Sequence, residues 1–457
     1  MKFCVITLGC KVNQYETQAV INILVTRGHE QREPGQDCDA CIINTCAVTA
    51  ESVRKSRQAV RRAKKGAPDA VIAVCGCLSQ LEPAAAAALG ADIVGGSSGR
   101  YEFALEIEKL VKERLIGNKL PAEECKTENK TKIVIGDPFE RSVFEELPPG
   151  VSVHSDNNSM NTVSARTRAL LKIQDGCDNY CAYCVIPYAR GPARSLHPER
   201  AAENARILDM QGFREIVITG IEISSYGSDL GDHPALSDVI KAIGAAAPHS
   251  RLRLGSLDPG IVNEEFCREM IYIPNLCDHF HLSLQSGCDG TLYRMGRKYN
   301  TGAVRDAVSA LRRRFPDCGL TADLITGFPG EDDAEFECTL EFIRSVSFSD
   351  MHIFPFSPRP GTRASTMPGQ VEKSVRRERA RAAAELAADM ACEFRLGLVG
   401  KTADVLFERE RGGCWTGHCG NYVEVSVVNG GAKNTVCPVR ITGVEGGNVY
   451  GEITDRY

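Results

Sequence analysis

The sequence predicts an α/β protein with an N-terminal doubly wound parallel sheet, a central partial (β/α)6 barrel and a small C-terminal antiparallel β-barrel. Three observations support this prediction. Strand-like and helix-like segments alternate over residues 1–112 and again over residues 165–394. Residues 395–457 are rich in Gly, Val and Thr, in short runs typical of a small barrel. A chain of 457 residues, 43% of them hydrophobic, is long enough to build several separate cores.

In the first domain, short apolar runs predict buried strands at residues 3–8, 40–44, 70–74 and 92–94. The stretches between them predict helices at residues 12–26, 50–65 and 83–89. Residues 113–164 are polar and aperiodic, and they predict a linker.

In the central domain, six β/α units predict strands at residues 169–174, 215–219, 251–255, 279–284, 320–326 and 350–355. Helices are predicted at residues 198–211, 235–246, 301–314 and 333–346, and a long helix over residues 371–396. The last domain is predicted to contain strands at residues 401–407, 421–428, 437–444 and 448–454.

Composition favours a cytoplasmic protein. No apolar run reaches the ~20 residues that a membrane span needs, and the N-terminus enters a strand pattern without a signal-peptide layout. The net charge of −5 gives no general support for nucleic-acid binding. One helix is an exception, and it is either a solvated face or a patch facing phosphates. Its basic residues are Arg54, Lys55, Arg57, Arg61, Arg62, Lys64 and Lys65.

The chain has 20 cysteines, and three of them form one short loop. Cys177, Cys181 and Cys184 follow the first strand of the predicted barrel in a C-x₃-C-x₂-C pattern. Three thiolates can hold a 4Fe-4S cluster and leave one iron open to a small ligand. A zinc site is the alternative, with His197 as the candidate fourth ligand. A third reading is a chance group of small core residues.

A second set of cysteines follows the strands of the first domain. Cys10, Cys46 and Cys77 come after the first, second and third predicted strands. The carboxyl ends of parallel strands meet at one sheet edge, so these three side chains are expected to converge there. The alternative is three small buried residues. Three further cysteines lie inside strands, where we expect burial: Cys4, Cys41 and Cys75.

The Cys177–Cys181–Cys184 spacing resembles the signature of the radical S-adenosylmethionine superfamily. This resemblance implies that the cluster binds S-adenosylmethionine and cleaves it to a radical. It also implies that Tyr183 lies against the adenine and that Glu222, in the segment 219–222, holds the methionine amine. Gly327 and Gly330, in the glycine-rich segment 323–331, would lie near the adenine. Glu222 could equally be a solvated loop carboxylate.

Three N-terminal segments resemble signatures of the methylthiotransferase family. They are residues 9–16 (GCKVNQYE), 44–49 (NTCAVT) and 76–80 (GCLSQ). Residues 281–289 and 295–299 fit the same family, and residues 417–423 resemble its RNA-binding tail domain, called TRAM. Basic and acidic residues are balanced in number in that tail. RNA contacts there would come from shape and from Trp415 and Tyr422, or the basic helix would supply them instead. Trp415 could also be barrel core.

The family resemblance implies a tRNA-modifying transferase with two 4Fe-4S clusters. Cys10, Cys46 and Cys77 would bind the second cluster, which carries the sulfur. Two S-adenosylmethionine molecules would be used per turnover, one as methyl donor and one as radical source. A flavodoxin or ferredoxin would donate the electron. The segment KVNQ after Cys10 is typical of the branch that acts on N6-threonylcarbamoyladenosine at position 37 of the tRNA anticodon loop.

Other functions stay open on the sequence. Within the same chemistry, the substrate could be isopentenyladenosine at position 37 of tRNA or an aspartate of a ribosomal protein. From a different class, the chain could be a zinc-stabilised RNA-binding adaptor without catalysis.

Overall fold

The structure, a computed structural model, describes residues 1–117, 131–149, 167–428 and 430–454. The first domain contains one parallel sheet whose strand order is β2-β1-β3-β4-β5-β6. Its strands are β1 (Lys2–Thr7), β2 (Glu30–Arg32), β3 (Ala40–Thr45), β4 (Val71–Gly76), β5 (Ile93–Gly95) and β6 (Lys132–Val134). Its helices are α1 (Lys11–Thr26), α2 (Ala50–Gly66), α3 (Cys77–Leu81), α4 (Pro83–Ala88) and α5 (Arg100–Gly117).

The four strands and three helices predicted for this domain are confirmed to within a few residues. Two strands were missed, because β2 and β6 are three-residue edge strands with charged residues, too short for a periodic pattern. Helix α5 was also missed and continues to Gly117, and strand β6 pairs with β5, so the predicted linker is wrong at residues 113–117 and 132–134. Residues 118–130 and 150–166 of the predicted linker lie outside the described residues.

The central domain is an open barrel of parallel strands in the order β7, β10, β11, β13, β14, β15. A break in pairing after β11 is bridged by β12, which pairs with β13. The strands are β7 (Arg168–Lys172), β8 (Gln174–Asp175), β9 (Arg194–Ser195), β10 (Glu215–Thr219), β11 (Arg251–Leu254), β12 (Ser256–Leu257), β13 (His279–Gln285), β14 (Gly319–Thr326) and β15 (Asp350–Pro355). The helices are α6 (Ile186–Arg190), α7 (Pro198–Met210), α8 (Leu236–Ala246), α9 (Glu264–Met270), α10 (Asp289–Met295), α11 (Thr301–Arg314), α12 (Asp333–Val346) and α13 (Lys373–Leu396). All six predicted barrel strands are confirmed.

Alternation along these strands separates a dry outer face from a polar inner one. Leu171, Ile218 and Leu282 belong to the large core beneath the helices. Their neighbours in sequence face the inside of the barrel, which we call the lumen. Facing side chains of neighbouring strands are joined there, for example His281 and Asp323 at 3.2 Å.

The C-terminal domain is a closed barrel with strand order β16-β17-β18-β20-β19. Its strands are β16 (Thr402–Arg411), β17 (Cys414–His418), β18 (Glu424–Val428), β19 (Val436–Glu445) and β20 (Asn448–Ile453). Strand β17 was not predicted, because a tight turn at Gly412 and Gly413 separates it from β16 by only two residues. The predicted strand at 421–428 begins later, since Tyr422 has a positive φ of 73°.

Both outer domains are docked on the central barrel. Helix α1 packs through Tyr15 and Ala19 against Leu170 of β7. The C-terminal barrel is held by Arg253, which donates to the carbonyl oxygens of Cys419 and Gly420 at 3.1 and 2.7 Å. No helix within the described residues is both long and apolar enough to cross a membrane.

Candidate active site

The loop that carries Cys177, Cys181 and Cys184 is fixed by its backbone. Gly176 has a positive φ of 73°, and a Cβ there would lie 1.8 Å from the carbonyl oxygen of Pro192, so only glycine fits. The Cys177 N–H donates to the Gly191 carbonyl at 3.1 Å, and the Cys184 N–H donates to the Cys181 carbonyl at 3.0 Å. The three thiols therefore project from one tight turn at the end of β8.

The spacing of the cysteines does not suit one zinc ion. Around tetrahedral zinc, sulfur ligands lie about 3.8 Å apart, given a Zn–S distance of about 2.3 Å. Within the described residues, only one trio of His, Cys, Asp or Glu has all its ligand atoms within 4.8 Å of one another, and it is His281, Asp323 and His352. His197 is exposed and contacts Glu199 at 3.1 Å. Three thiols are also the donor set of a 4Fe-4S cluster that keeps one iron open.

Burial keeps the thiols of Cys177 and Cys184 protonated while no metal is bound. It raises the pKa of Cys177 to about 11 and that of Cys184 to about 12. Metal binding requires thiolates, so assembly at this loop must release protons. Arg297 supplies compensating charge, because its Nη1 donates to Cys181 Sγ at 3.2 Å and its Nη2 donates to Asp258 at 2.9 Å.

Glu222 lies in the same crevice as the cysteine loop. Gln174, which is fully buried, accepts from the Glu222 N–H at 2.8 Å and donates to the Gly176 carbonyl at 2.9 Å. Burial, reinforced by Asp258, raises the pKa of Glu222. The sequence interpretation gave no role to Gln174, yet it ties the strand-end loop of β10 to the loop of Cys177.

The glycine-rich segment after β14 reaches the cysteine loop from the other side. Phe328 packs edge-on against Tyr183, with ring centroids 6.4 Å apart. Gly327 and Gly330 both have positive φ, and a Cβ on Gly327 would lie 2.2 Å from Cγ of Arg376. The structure thus places Tyr183 and residues 327–330 around one crevice, and their contacts with a cofactor stay a prediction.

The second set of cysteines lies at the carboxyl edge of the first sheet. Cys10 follows β1, Cys46 follows β3 and Cys77 begins α3 after β4, and these three strands are neighbours. Gly9 has φ of 101°, and a Cβ there would lie 2.9 Å from Cys46 Cβ. Asn13 joins two of the strand ends by donating to the carbonyls of Leu8 and Thr45, at 2.8 and 2.9 Å.

The three thiols differ in accessibility but share one electrostatic environment. Cys46 and Cys77 are buried, and Cys10 is exposed at the crevice. Desolvation by the surrounding protein raises the pKa of all three, even at the accessible Cys10, and the Arg190 guanidinium opposes this effect at each. Three other cysteines are buried inside strands as predicted, namely Cys4, Cys41 and Cys75.

Arg190 belongs to the central domain and lies against the first one. Its guanidinium is fully buried and donates to Glu16 at 2.7 Å, to Asp175 at 2.9 Å and to Asn13 at 3.0 Å. Lys172, also fully buried, lies 3.6 Å from Glu16 and 3.1 Å from Asp175. This buried network therefore joins α1, which follows Cys10, to the strand that precedes Cys177.

Cations outnumber carboxylates in the network. Arg100 contacts Glu16 at 2.7 Å, and Arg194 lies 3.9 Å from Asp175. Burial opposes the ionisation of Glu16, but Arg190, Arg100 and Lys172 outweigh it and lower its pKa to about 2. The surplus positive charge beside Cys77 suits thiolates and the anionic groups that thiolates hold.

Two sequence-family profiles match the chain. Residues 171–343 match the radical SAM superfamily, and residues 2–96 match the uncharacterized protein family UPF0004. The chain is 35% identical to the threonylcarbamoyladenosine tRNA methylthiotransferase MtaB of Bacillus subtilis, covering 92% of this chain and 88% of that one. It is 37% identical to the protein of the same name from Thermotoga maritima, covering 88% and 85%. This chain belongs to the radical S-adenosylmethionine methylthiotransferase family.

The two relatives just named belong, by their names, to the threonylcarbamoyladenosine branch of this family. A tRNA-2-methylthio-N(6)-dimethylallyladenosine synthase from Moorella thermoacetica is 31% identical, covering 89% of this chain and 87% of that one. The radical S-adenosylmethionine methyltransferase TsrM of Kitasatospora setae, solved with cobalamin and a 4Fe-4S cluster, shares the fold, with a TM-score of 0.57 at 15% identity over 80% of this chain and 77% of that one. Membership of the radical SAM superfamily implies S-adenosylmethionine and one 4Fe-4S cluster as cofactors.

The aromatic residues suggested for RNA contact in the tail are engaged elsewhere. Tyr422 stacks on His279 of the barrel with ring centroids 4.8 Å apart, and Arg168 and Arg253 lie over its ring. Trp415 packs on the core of the C-terminal barrel, edge-on to Phe407. Both rings are therefore engaged in contacts within the protein, while Tyr422 remains 37% exposed.

A basic groove opens beside Cys10 instead. It has a volume of about 890 Å³ and runs between the first domain and the edge of the barrel formed by β15 and α13. Gly9, Thr49 and Phe356 are among its lining residues. Its charged lining residues are Arg54, Lys55, Lys373, Arg376 and Arg377, with Glu51 as the carboxylate. The predicted basic helix, now α2, thus contributes its first turns to a concave surface.

Proposed function

We propose that the chain is a tRNA (N6-L-threonylcarbamoyladenosine(37)-C2)-methylthiotransferase, which adds a methylthio group to C2 of that nucleoside. The observation that carries the proposal is the pair of cysteine trios, one per domain, joined by the buried Arg190 network. The printed names of the relatives from Bacillus subtilis and Thermotoga maritima support the substrate. Such an activity implies a cytoplasmic enzyme.

Each trio would hold a 4Fe-4S cluster in this proposal. Cys177, Cys181 and Cys184 would hold the cluster that binds S-adenosylmethionine, and the other trio, described above, would hold the sulfur-carrying one. The two clusters together supply one-electron cleavage of S-adenosylmethionine and the sulfur to be inserted, with one S-adenosylmethionine as methyl donor and a second as radical source. An aromatic C–H offers a general base no useful acidity, which is why a cofactor must do this chemistry.

The side chains of the crevice would orient the cofactor. Tyr183 would pack against the adenine. Glu222 would accept a hydrogen bond from the methionine amine, because a carboxylate in this buried position gains from a cationic partner. Gly327 and Gly330 would let backbone approach the nucleoside closely. Arg297 would balance the charge at Cys181. The electron would come from a small carrier such as flavodoxin or ferredoxin.

The basic groove is where the tRNA anticodon loop would bind. Its five cations face one carboxylate, and the groove ends beside Gly9 and so beside Cys10. Phosphates of a loop lying there would meet this positive surface, and an unstacked base could enter the lumen. The C-terminal barrel, which fits a TRAM domain, would then support the enzyme from the opposite end of the strands.

Iron content and tRNA nucleosides test the proposal. After anaerobic reconstitution, the protein should carry about eight iron atoms and Cys177→Ala about four. Cys267→Ala, at a buried cysteine outside both trios, should keep the full content. A strain lacking the gene should lose only the methylthio-threonylcarbamoyl nucleoside from its tRNA. The wild-type gene should restore this nucleoside, and the Cys177→Ala gene should not. Loss of the methylthio-isopentenyl nucleoside instead would reject the substrate assignment, and a colourless zinc protein would reject the enzyme.

A further inference from the structure

Lys11 is the first residue of α1 and follows Cys10 directly. Residues four apart share one face of a helix, so Lys11 lies on the same face as Tyr15. Tyr15 packs on Leu170, whose side chain lies on the lumen side of β7, and its ring lies 5.6 Å from Lys172 Nζ. The Lys11 side chain therefore projects over the lumen, at the side where the first domain covers the barrel.

The charged groups around Lys11 come from four barrel strands. Arg168 and Arg253 repel its ammonium, and Glu215 and Asp323 attract it. Both carboxylates are already engaged. Glu215 accepts from Arg253 at 2.8 Å, and also from Arg251, while Asp323 lies 3.2 Å from each of two imidazoles, those of His281 and His352.

Lys11 itself lacks such a partner. In the part of the chain that the structure describes, no carboxylate oxygen lies within 4.0 Å of its Nζ, although most lumen cations are paired. Its side chain is exposed to the crevice, with Arg253 and Arg168 on the lumen side. An ammonium in this position gains more from an incoming anion than one in open water does.

We propose that Lys11 binds the carboxylate of the threonylcarbamoyl group and so selects this nucleoside over those with an apolar N6 substituent. The proposal rests on the proposed function. The chemistry of the base supports it, because C2 and N6 lie at the two ends of the same edge of adenine. When C2 is at the sulfur-carrying cluster, the long side chain of Lys11 would extend along that edge from the residue after Cys10 towards the N6 substituent. The threonylcarbamoyl group is anionic at neutral pH, whereas a dimethylallyl group offers the ammonium nothing to pair with.

The alternatives make different predictions. If Lys11 bound an RNA phosphate, its loss would weaken every RNA to the same degree. If it bound the carboxylate of S-adenosylmethionine, its loss would slow cofactor cleavage even without RNA. Only a contact with the N6 substituent makes the effect depend on the chemistry of that substituent.

The test is a cycle of two changes, one in the enzyme and one in the substrate. Anticodon stem-loop RNAs would carry N6-threonylcarbamoyladenosine or its primary amide, which removes the negative charge and keeps the shape. Wild-type enzyme should prefer the carboxylate RNA by about 10²-fold in kcat/KM, the size expected for a close charge pair formed when substrate fills the site. In Lys11→Met this preference should fall below about threefold, with the loss confined to the carboxylate RNA.

Binding measured by fluorescence anisotropy without S-adenosylmethionine should show the same loss of preference. Lys11→Arg should retain most of the preference, and Lys109→Met, at an exposed lysine of α5, should retain all of it. Iron content and cofactor cleavage without RNA should match wild type in all three variants. A Lys11→Met enzyme that keeps the preference, or loses activity equally on both RNAs, overturns the proposal while the function stands. A wild-type enzyme that modifies neither RNA rejects the function itself.

Discussion

Replacing Glu16 by glutamine tests whether the buried charge network holds the two cluster domains together. The side chain is 1% exposed and accepts from Arg100 and Arg190, at 2.7 Å each, with Lys172 at 3.6 Å. Glutamine keeps the volume and removes the charge. It leaves four buried cations (Arg100, Arg190, Lys172 and Arg194), with Asp175 as the remaining carboxylate in the network.

The expected cost follows from the pKa of Glu16. Its fall from 4.5 to about 2 corresponds to ~3 kcal/mol, at ~1.36 kcal/mol per pH unit of pKa difference. This agrees with the ~3–5 kcal/mol lost when one partner of a buried ion pair is removed. Because folding lowers the pKa of this carboxyl, Glu16 contributes fully to the free energy of unfolding above pH 4.5, and this contribution is lost as the pH falls towards 2. The difference between Glu16→Gln and wild type should therefore be largest near pH 7 and shrink below pH 4.5.

Urea unfolding of the metal-free protein, followed by far-UV circular dichroism under reducing conditions, measures this difference. Glu203→Gln is the matched control, because Glu203 is 41% exposed and pairs with Arg206 on the surface of α7. The control should change the free energy of unfolding by less than ~0.5 kcal/mol. If Glu16→Gln loses less than ~1 kcal/mol at pH 7, or loses as much at pH 3.5 as at pH 7, the network does not contribute as argued.

Three further substitutions test other parts of the site. Gly176→Ala forces a Cβ into a backbone carbonyl, so iron content should fall from about eight to about four atoms; full content would contradict the argument. Arg297→Met removes the cation beside Cys181, so the reduction potential of that cluster should become more negative in a redox titration followed by electron paramagnetic resonance; an unchanged potential would contradict this. Tyr422→Leu removes the ring that stacks on His279, which should weaken the docking of the C-terminal barrel on the central barrel by ~1–2 kcal/mol. Proteolysis before β16 should therefore become faster, and an unchanged rate would show that this docking does not depend on the Tyr422 ring.

The cysteine positions could be predicted because they follow from local rules. Parallel strands end at one edge of a sheet, so a cysteine after each of three strands converges with the others whatever the loop lengths are. The loop of Cys177 was visible because its spacing lies within eight residues of sequence. The burial of Cys4, Cys41 and Cys75 followed from their positions inside the strands of a parallel sheet that helices cover on both faces.

The groups around the cysteines could not be predicted, because they meet across long stretches of chain. Arg190 contacts Glu16 from 174 residues away, and neither residue has a local pattern that marks it for burial. Residues 417–423 resemble an RNA-binding segment, but nothing in that segment indicates that His279, 143 residues upstream, stacks on the Tyr422 ring. Short edge strands such as β6 were missed because three residues carry no measurable period.

The way in which the first domain covers the barrel decides where a large substrate can approach. At one edge, α1 lies on β7, and the junction contains Arg190 and Lys172, both fully buried. Opening that junction would separate buried cations from Glu16, which is as costly as the Glu16 substitution itself. At the other edge, the Ala50 N–H donates to Ser357 at 3.0 Å after β15, and the basic groove already opens there towards Gly9. The edge near β7 therefore fixes the distance between the two cysteine trios, and the edge near β15 is the one that a nucleic acid can reach without that cost.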